Sequence, residues 1–142
     1  MLRIAGELAD GNLLTWSGPR TIADTVLPAM AAAASGVGRA TPEVVVGVCV
    51  CVTADPEVAR RWVDDQYGAA WDLPSYRAVF EREGLSSVGA AIVAGDEAEV
   101  EKALRRYADV GTAELQVIPV GPDADRARTV EVLGGLARAR RL

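Results

Sequence analysis

The chain has 142 residues, of which half are apolar and a quarter are charged, which is typical of one globular domain of about 100–150 residues. This composition excludes disordered, collagen-like and coiled-coil chains, and we expect a single domain over residues 1–142. The net charge of −5 argues against nucleic acid or an anionic membrane as a partner. The absence of histidine removes Ser-His-Asp and Cys-His catalysis and most zinc sites, so no metal site is predicted.

The sequence shows no signal that would direct it to a membrane. No apolar stretch approaches the ~20 residues of a membrane span, and the first residues lack a basic segment followed by an apolar run. We therefore expect a cytoplasmic protein. The two cysteines, Cys49 and Cys51, lie two apart in a strand-like run, so their side chains are parallel and favour small buried groups over a mutual disulfide.

The first half of the chain predicts two helix–strand pairs. Residues 2–9 form the end of a helix, and residues 12–16 form a short apolar strand. A second helix begins near Pro19 and continues to Gly36, with a bend expected at Pro28. Residues 44–52 are apolar on both faces without alternation, which is typical of a central parallel strand.

The second half predicts further helices and a last strand. A helix begins at residues 55–57 with a capping aspartate, a proline and a glutamate. Residues 67–89 contain a second short helix, and they are either a lid packed on a barrel mouth or a plain helical hairpin, which we favour. Residues 91–95 lead into a helix that begins with the capping box of Asp96 and Glu99. Residues 115–120 form the last strand, and a final helix follows it.

This order of elements predicts an α/β fold with a parallel sheet. About three strands are convincing, and a three-stranded parallel sheet with so apolar a central strand would leave its faces and edges uncovered. We therefore expect that the chain is part of a larger wound structure, or that it self-associates to cover the sheet.

Three collinear segments resemble the luciferase-like flavin superfamily. They read Leu-Arg-Ile-Ala-Gly-Glu-Leu-Ala-Asp-Gly over residues 2–11, Val-Ala-Gly-Asp-Glu-Ala-Glu-Val over 93–100, and Leu-Arg-Arg-Tyr-Ala-Asp-Val-Gly over 104–111. The sequence is most similar to the branch of coenzyme F420-dependent oxidoreductases related to methylenetetrahydromethanopterin reductase.

The resemblance implies the C-terminal portion of a (β/α)8 TIM-barrel-like fold, with about three parallel strands and their covering helices. Roughly five strands of such a barrel then have no counterpart here. The family uses F420, or FMN, for hydride transfer to or from a small organic substrate. The residues that hold the deazaflavin lie mainly in the absent portion, so no catalytic residue is assigned, and we expect that this chain alone binds neither cofactor and is inactive.

The resemblance also suggests one substrate- or anion-binding loop, which comprises Thr15, Trp16, Ser17, Gly18 and Arg20. In sugar-phosphate-oxidising relatives, the matching strand ends in a threonine followed by a small-residue loop and a cation. This chain has Pro19-Arg20 where the family has lysine, and Trp16 is an additional bulky residue. The loop follows a strand and begins a helix, where free N–H groups favour an anion.

Two alternatives remain open for this loop and for the chain. The loop could be an ordinary helix cap in which Trp16 packs in the core and Arg20 pairs with Asp24, four residues further on. The chain could be part of an enzyme, completed by an N-terminal half, or a non-catalytic half-barrel module that forms homo-oligomers and binds a small anion.

Overall fold

A computed structural model describes residues 1–139, and its centre is a parallel sheet of four strands. The strands are β1 (Gly11–Thr15), β2 (Glu43–Val52), β3 (Val93–Gly95) and β4 (Glu114–Pro119). The sequence predicted about three strands. The additional strand, β3, is only three residues long and lies within the segment that leads into the next helix, so its pattern is too short to stand out.

Strand β2 is the centre of the sheet because every other strand pairs with it. Its first half pairs with β1, its last three residues pair with β3, and its middle pairs with β4. Val50 pairs with both β3 and β4, and Val45 pairs with both β1 and β4, so β1 and β3 lie one after the other along the same edge. In a (β/α)8 barrel, strands that are consecutive in the sequence are neighbours in the sheet, so β3 would lie between β2 and β4. Here β4 pairs with β2 directly.

Seven α-helices surround this sheet within the described residues. They are α1 (Leu2–Leu8), α2 (Pro19–Thr21), α3 (Leu27–Gly36), α4 (Pro56–Tyr67), α5 (Pro74–Glu83), α6 (Glu97–Asp109) and α7 (Asp123–Arg138). Short 3-10 segments occupy Gly68–Asp72 and Gly89–Ala91. None of the helices in this part of the chain is long and apolar enough to cross a membrane.

One face of the sheet carries the main core. The even-numbered valines of β2 point to this face and are almost completely buried against α3 and α6. Helix α1 packs closely on α3 because residue 6 is glycine: a Cβ there would lie 2.6 Å from the Met30 carbonyl oxygen. This contact gives a packing reason for the glycine in the family-like segment of residues 2–11.

The helix that was expected to bend at Pro28 contains a π-helical turn instead. Residues Ile22–Val26 form this turn between α2 and α3. Proline has no N–H for the Asp24 carbonyl four residues before it, and the Leu27 N–H bonds the Ile22 carbonyl, five residues back. A π-turn is one way for a helix to absorb such an interruption.

The opposite face of the sheet is only partly covered. Near the carboxyl ends of the strands, Cys51 packs in a second cluster with Val63 of α4 and Phe80 of α5. On the outer strands of this face, Leu13 in the middle of β1 is 58% exposed and Ile118 near the carboxyl end of β4 is 40% exposed. On β2 itself, Val45 and Cys49 are partly buried and Cys51 is buried. The prediction that both faces of the central strand are covered is therefore correct for one face and only partly correct for the other.

Candidate functional site

The loop predicted to bind an anion lies directly after the carboxyl end of β1. Thr15 is the exposed last residue of the strand, and Ser17 is buried beside it. Trp16 has a φ of 63°, in a left-handed region that residues other than glycine rarely adopt. This conformation turns the chain out of the sheet and directs it towards the start of α2.

A carboxylate of the protein itself occupies the start of this helix. The Thr21 N–H donates a short hydrogen bond to Oε1 of Glu83, the last residue of α5. A Cβ at residue 18 would lie 2.5 Å from the Cδ of Glu83, so the carboxylate fits because Gly18 has no side chain. Free N–H groups in a helical first turn attract negative charge, and Glu83 supplies it.

Arg20 does not contact this carboxylate directly and forms the alternative ion pair that the sequence left open. Its Nε lies 3.8 Å from Oδ2 of Asp24, and both side chains are about two-thirds exposed, at 68% and 70%. An exposed pair of this kind contributes little to stability.

Trp16 belongs to a row of aromatic rings beneath α5. Its ring makes edge-to-face contacts with Phe80, at 5.5 Å between centroids, and with Tyr67, at 6.3 Å. Phe80 also stacks on Trp71. The core packing proposed for Trp16 is therefore present, although the partner is α5 and not the helix that follows the loop.

Helix α5 consequently lies over the carboxyl ends of the strands. Its Phe80 packs in the same cluster as Cys49 and Cys51 of β2, and its Glu83 reaches the loop after β1. The plain helical hairpin favoured from the sequence is therefore incorrect: residues 67–89 form a cover on this end of the sheet. The sequence could not distinguish the two because the contacts that seat α5 are distant along the chain.

Two small cavities adjoin the loop. One of about 10 Å³ lies between Thr15, Ser17, Cys49 and the ring of Tyr107. A second, of about 300 Å³, lies between Arg20, Glu83, Arg106 and Tyr107.

Tyr107 and Cys49 are both held in their neutral forms at this site. Burial raises the pKa of Tyr107 to about 12, and the negative charge of Glu83 adds to this effect. Burial also raises the pKa of the Cys49 thiol. Neither group is activated as a base or nucleophile near neutral pH, because either role requires a pKa lowered towards that range.

A larger groove lies elsewhere in the described residues. It has a volume of about 870 Å³ and is lined by Leu104, Thr112, Leu115 and Leu133, between α6, α7 and the start of β4. Ligand sites in parallel α/β folds lie at the carboxyl ends of the strands, and this groove is near the amino end of β4. Residues 1–139 also contain no group of three or more acidic or cysteine side chains that could hold a metal ion.

Comparison with known proteins places this geometry in a family. The sequence matches the luciferase-like monooxygenase family over residues 1–118. The chain belongs to that family. No curated protein matches the sequence.

Solved structures show that the fold is shared. The coenzyme F420-dependent tetrahydromethanopterin reductase of Methanopyrus kandleri aligns with a TM-score of 0.71 and 21% identity, over 94% of this chain and 46% of that one. An FMN complex of the oxygenating constituent of 3,6-diketocamphane monooxygenase from Pseudomonas putida aligns with a TM-score of 0.64 and 18% identity, over 92% and 42%. An F420-dependent secondary alcohol dehydrogenase has a TM-score of 0.62 and 18% identity, over 86% and 41%. The chain thus spans less than half the length of each structure.

The residues at the strand ends do not form a site for a flavin or deazaflavin ring in this conformation. The protein's own rings, Trp16 and Phe80, fill the space above β1 and β2. The adjacent cavity of about 300 Å³ is at the lower limit of roughly 300–1,000 Å³ for small-molecule sites, and the Glu83 carboxylate lines it.

The sequence singled out the loop of residues 15–20, and it gave no indication of three residues that lie beside this loop. Glu83, Arg106 and Tyr107 come from α5 and α6, and no local pattern connects them to residues 15–20. A glycine before a helix-starting proline was an available signal for a close approach, although it does not identify the approaching group.

Proposed function

We propose that this chain supplies part of the active site of an F420- or FMN-dependent oxidoreductase, with hydride transfer between the cofactor and a small organic substrate. The observation that supports this most directly is the position of the loop Thr15–Gly18. It follows the carboxyl end of a parallel strand in a member of the luciferase-like family, and active sites of barrel enzymes are built from such loops.

The role proposed for the loop is to hold an anionic or strongly polar group of the substrate. Thr15 offers a hydroxyl, and the backbone around Ser17 and Gly18 offers N–H groups at a helical start. The contact between Glu83 and the Thr21 N–H supports this chemistry, since it shows that the helix start accepts a carboxylate. Trp16 and Arg20 would form the wall and rim of this region, because Trp16 is half-buried and Arg20 is exposed.

A second polypeptide region is required to complete the site in this proposal. The described chain covers less than half of its solved relatives, and the partly covered face of its sheet exposes Leu13 and Ile118. A complementing N-terminal half, with parallel strands of its own, would cover those side chains and extend the sheet from β1 and β4. The cytoplasmic location expected from the sequence remains a prediction.

Cofactor titration tests the need for the second region. We expect that the chain alone, titrated with F420 and with FMN and followed by fluorescence, shows no saturable binding below ~10 μM, which would correspond to about −7 kcal/mol. Saturable binding in that range would refute the proposal that another region is required.

A second experiment tests the chain together with a polypeptide encoded upstream of it. Cofactor binding and turnover by the pair would support the enzyme proposal. Within that pair, Thr15→Val should raise KM about tenfold if the hydroxyl binds substrate, a loss of about 1.4 kcal/mol. Thr41→Val, at an exposed position in the loop before β2, is the matched control and should leave KM unchanged.

The exposed face also favours a second candidate, a non-catalytic module that self-associates. Leu13 and Ile118 lie on the same side of the sheet, because Ile118 pairs with Cys49 and Leu13 pairs with Val45. Sedimentation should then show a dimer or larger species that Leu13→Asp weakens, without bound cofactor. A monomer at high concentration would refute this candidate and would leave the complementing half as the proposed cover.

A further inference from the structure

Few other contacts hold α5 in place beside its contact with the loop after β1. Phe80 is the one fully buried side chain of α5, and Pro74, Ser75, Tyr76, Arg77 and Glu81 are exposed. The helix packs mainly against the preceding 3-10 segment and the short α2. Arg77 holds the first turns of the helix to the preceding segment, since it donates to the Trp71 carbonyl and pairs with Asp72. Towards the strand ends, the helix is held by Phe80 and by Glu83.

Both ends of this helix have backbone features that would let it move as a unit. At its end, Gly84 has a φ of 75° and is the left-handed residue that terminates the helix. At its start, Leu73 is extended and Pro74 occupies the first helical position. Hinges are commonly such element-terminal residues, which absorb a change in backbone angles.

The Glu83 carboxylate makes close contacts with the loop after β1 and the helix start that follows it. It is half-buried, it accepts the N–H of Thr21, and it fits against the bare α-carbon of Gly18. The Thr21 hydroxyl beside it is buried and has no hydrogen-bond partner. A charged acceptor in a partly buried position makes a stronger hydrogen bond than a neutral one, so this contact can determine whether the end of α5 stays in place.

We propose that α5 is a lid over the strand ends and that the carboxylate of Glu83 is its latch. In the closed state, Glu83 lies against Gly18 and accepts the Thr21 N–H. This is the same helix start that the proposed function assigns to an anionic substrate group, and in this respect the inference rests on that function. An anion bound at the loop and the Glu83 latch would exclude each other. Substrate binding would then release the end of α5 and expose the strand ends.

The first experiment measures the latch without any ligand. Hydrogen exchange of the Thr21 amide and tryptic cleavage after Arg77, also in α5, are followed in the wild type and in Glu83→Ala. We expect both rates to rise about tenfold or more, because cleavage within a helix follows the population of its detached form. Glu81→Ala, an exposed carboxylate on the same helix, is the control and should change neither rate.

A second variant displaces the carboxylate without removing it. Gly18→Ala would place a methyl group where the Glu83 carboxylate lies, and the backbone at residue 18, with φ −83° and ψ 172°, accepts alanine. We expect the same increase in both rates. Gly36→Ala, where an added Cβ meets nothing within 4 Å, is the matched control.

The outcomes separate the latch from the proposed function. Unchanged exchange and cleavage in both Glu83→Ala and Gly18→Ala would refute the latch, whatever the chain binds. If both rates rise, the latch is supported. Inorganic phosphate then tests the anion role: we expect Glu83→Ala to bind phosphate at least about tenfold more tightly than the wild type, and equal affinity would refute the competition and the anion role, but not the lid.

Discussion

The anchoring of α7 to the end of β2 gives the sharpest test of what holds this fold together. Strand β4 pairs with β2 only as far as Val50, so the backbone of Val52 extends past it on that edge. The Val52 N–H donates to the Thr129 hydroxyl at 2.8 Å, and that hydroxyl donates to the Asp125 carbonyl at 2.7 Å. Thr129 is fully buried.

Replacing Thr129 by valine keeps the shape of the side chain and removes the acceptor. The Val52 N–H would then be buried without a partner, which costs about 1–3 kcal/mol. With an m-value of about 1–3 kcal/mol per M for a small domain, the urea midpoint should fall by roughly 1 M. We also expect the Val52 amide to exchange faster with solvent.

Thr129→Ser is the matched control for this prediction. It retains the hydroxyl and loses one buried methyl group, so it should cost about 1 kcal/mol while protection of the Val52 amide persists. A Thr129→Val protein within about 0.5 kcal/mol of the wild type, with a Val52 amide still protected, would show that the hydroxyl is not the anchor.

Three further predictions follow from particular contacts. The Tyr107 pKa is raised to about 12 from 10, so its contribution to stability is fully present below pH 10 and is lost as the pH rises towards 12. Spectrophotometric titration should therefore show a tyrosine that ionises late and is missing in Tyr107→Phe. A titration without this late tyrosine would contradict the prediction. Arg20→Ala should change the free energy of unfolding by no more than ~0.5 kcal/mol, since the side chain is exposed and its partner Asp24 is also exposed; a larger loss in urea unfolding would mean that Arg20 has a role in packing. Gly6→Ala should lower the free energy of unfolding by about 1–3 kcal/mol, because the added methyl group would overpack α1 on α3. Gly36→Ala should leave this free energy unchanged or raise it slightly. Equal urea midpoints for the two variants would refute the close approach of α1 and α3.

The parts of the fold that local chemistry determines could be predicted from the sequence. The capping box is present as expected, with Asp96 accepting the Glu99 N–H and Glu99 accepting the Asp96 N–H. Asp55 likewise accepts the Val58 N–H at the start of α4. These interactions join residues three apart, so a short window of sequence contains all of their information.

The pairing of the strands could not be obtained in the same way. The apolar run of β2 indicates a central strand, and β2 is central. Strand β2 pairs with both β3 and β4, and the length of each strand limits how far its pairing extends along β2. Strand β3 has three residues and pairs only with the end, whereas β4 has six. Strand length near turns is poorly determined by propensity, so the order of strands was outside the reach of pattern analysis.

The candidate site shows the same division between local and distant information. A helical start with a glycine and a proline attracts an anion for local reasons, and an anion is present. Its identity depends on a contact between Thr21 and Glu83, which are 62 positions apart, and residue 83 has no distinguishing sequence pattern. Binding of an external anion by the loop stays a prediction, and the contact with Glu83 could not be obtained from the sequence.

The covered strand ends and the exposed side chains of the outer strands have separate causes. This difference affects how a second polypeptide would complete the fold. Helix α5 and the rings around Phe80 cover the carboxyl end of β2 and the loop after β1, whereas Leu13 of β1 and Ile118 of β4 are exposed on the same face. A second polypeptide that adds strands beside β1 or β4 would cover those exposed side chains first, because none of the chain's own side chains buries them. Completion of the barrel therefore need not displace the lid. Moving α5 away from the strand ends requires free energy from another interaction. A ligand that binds the loop more tightly than Glu83 does would supply that free energy.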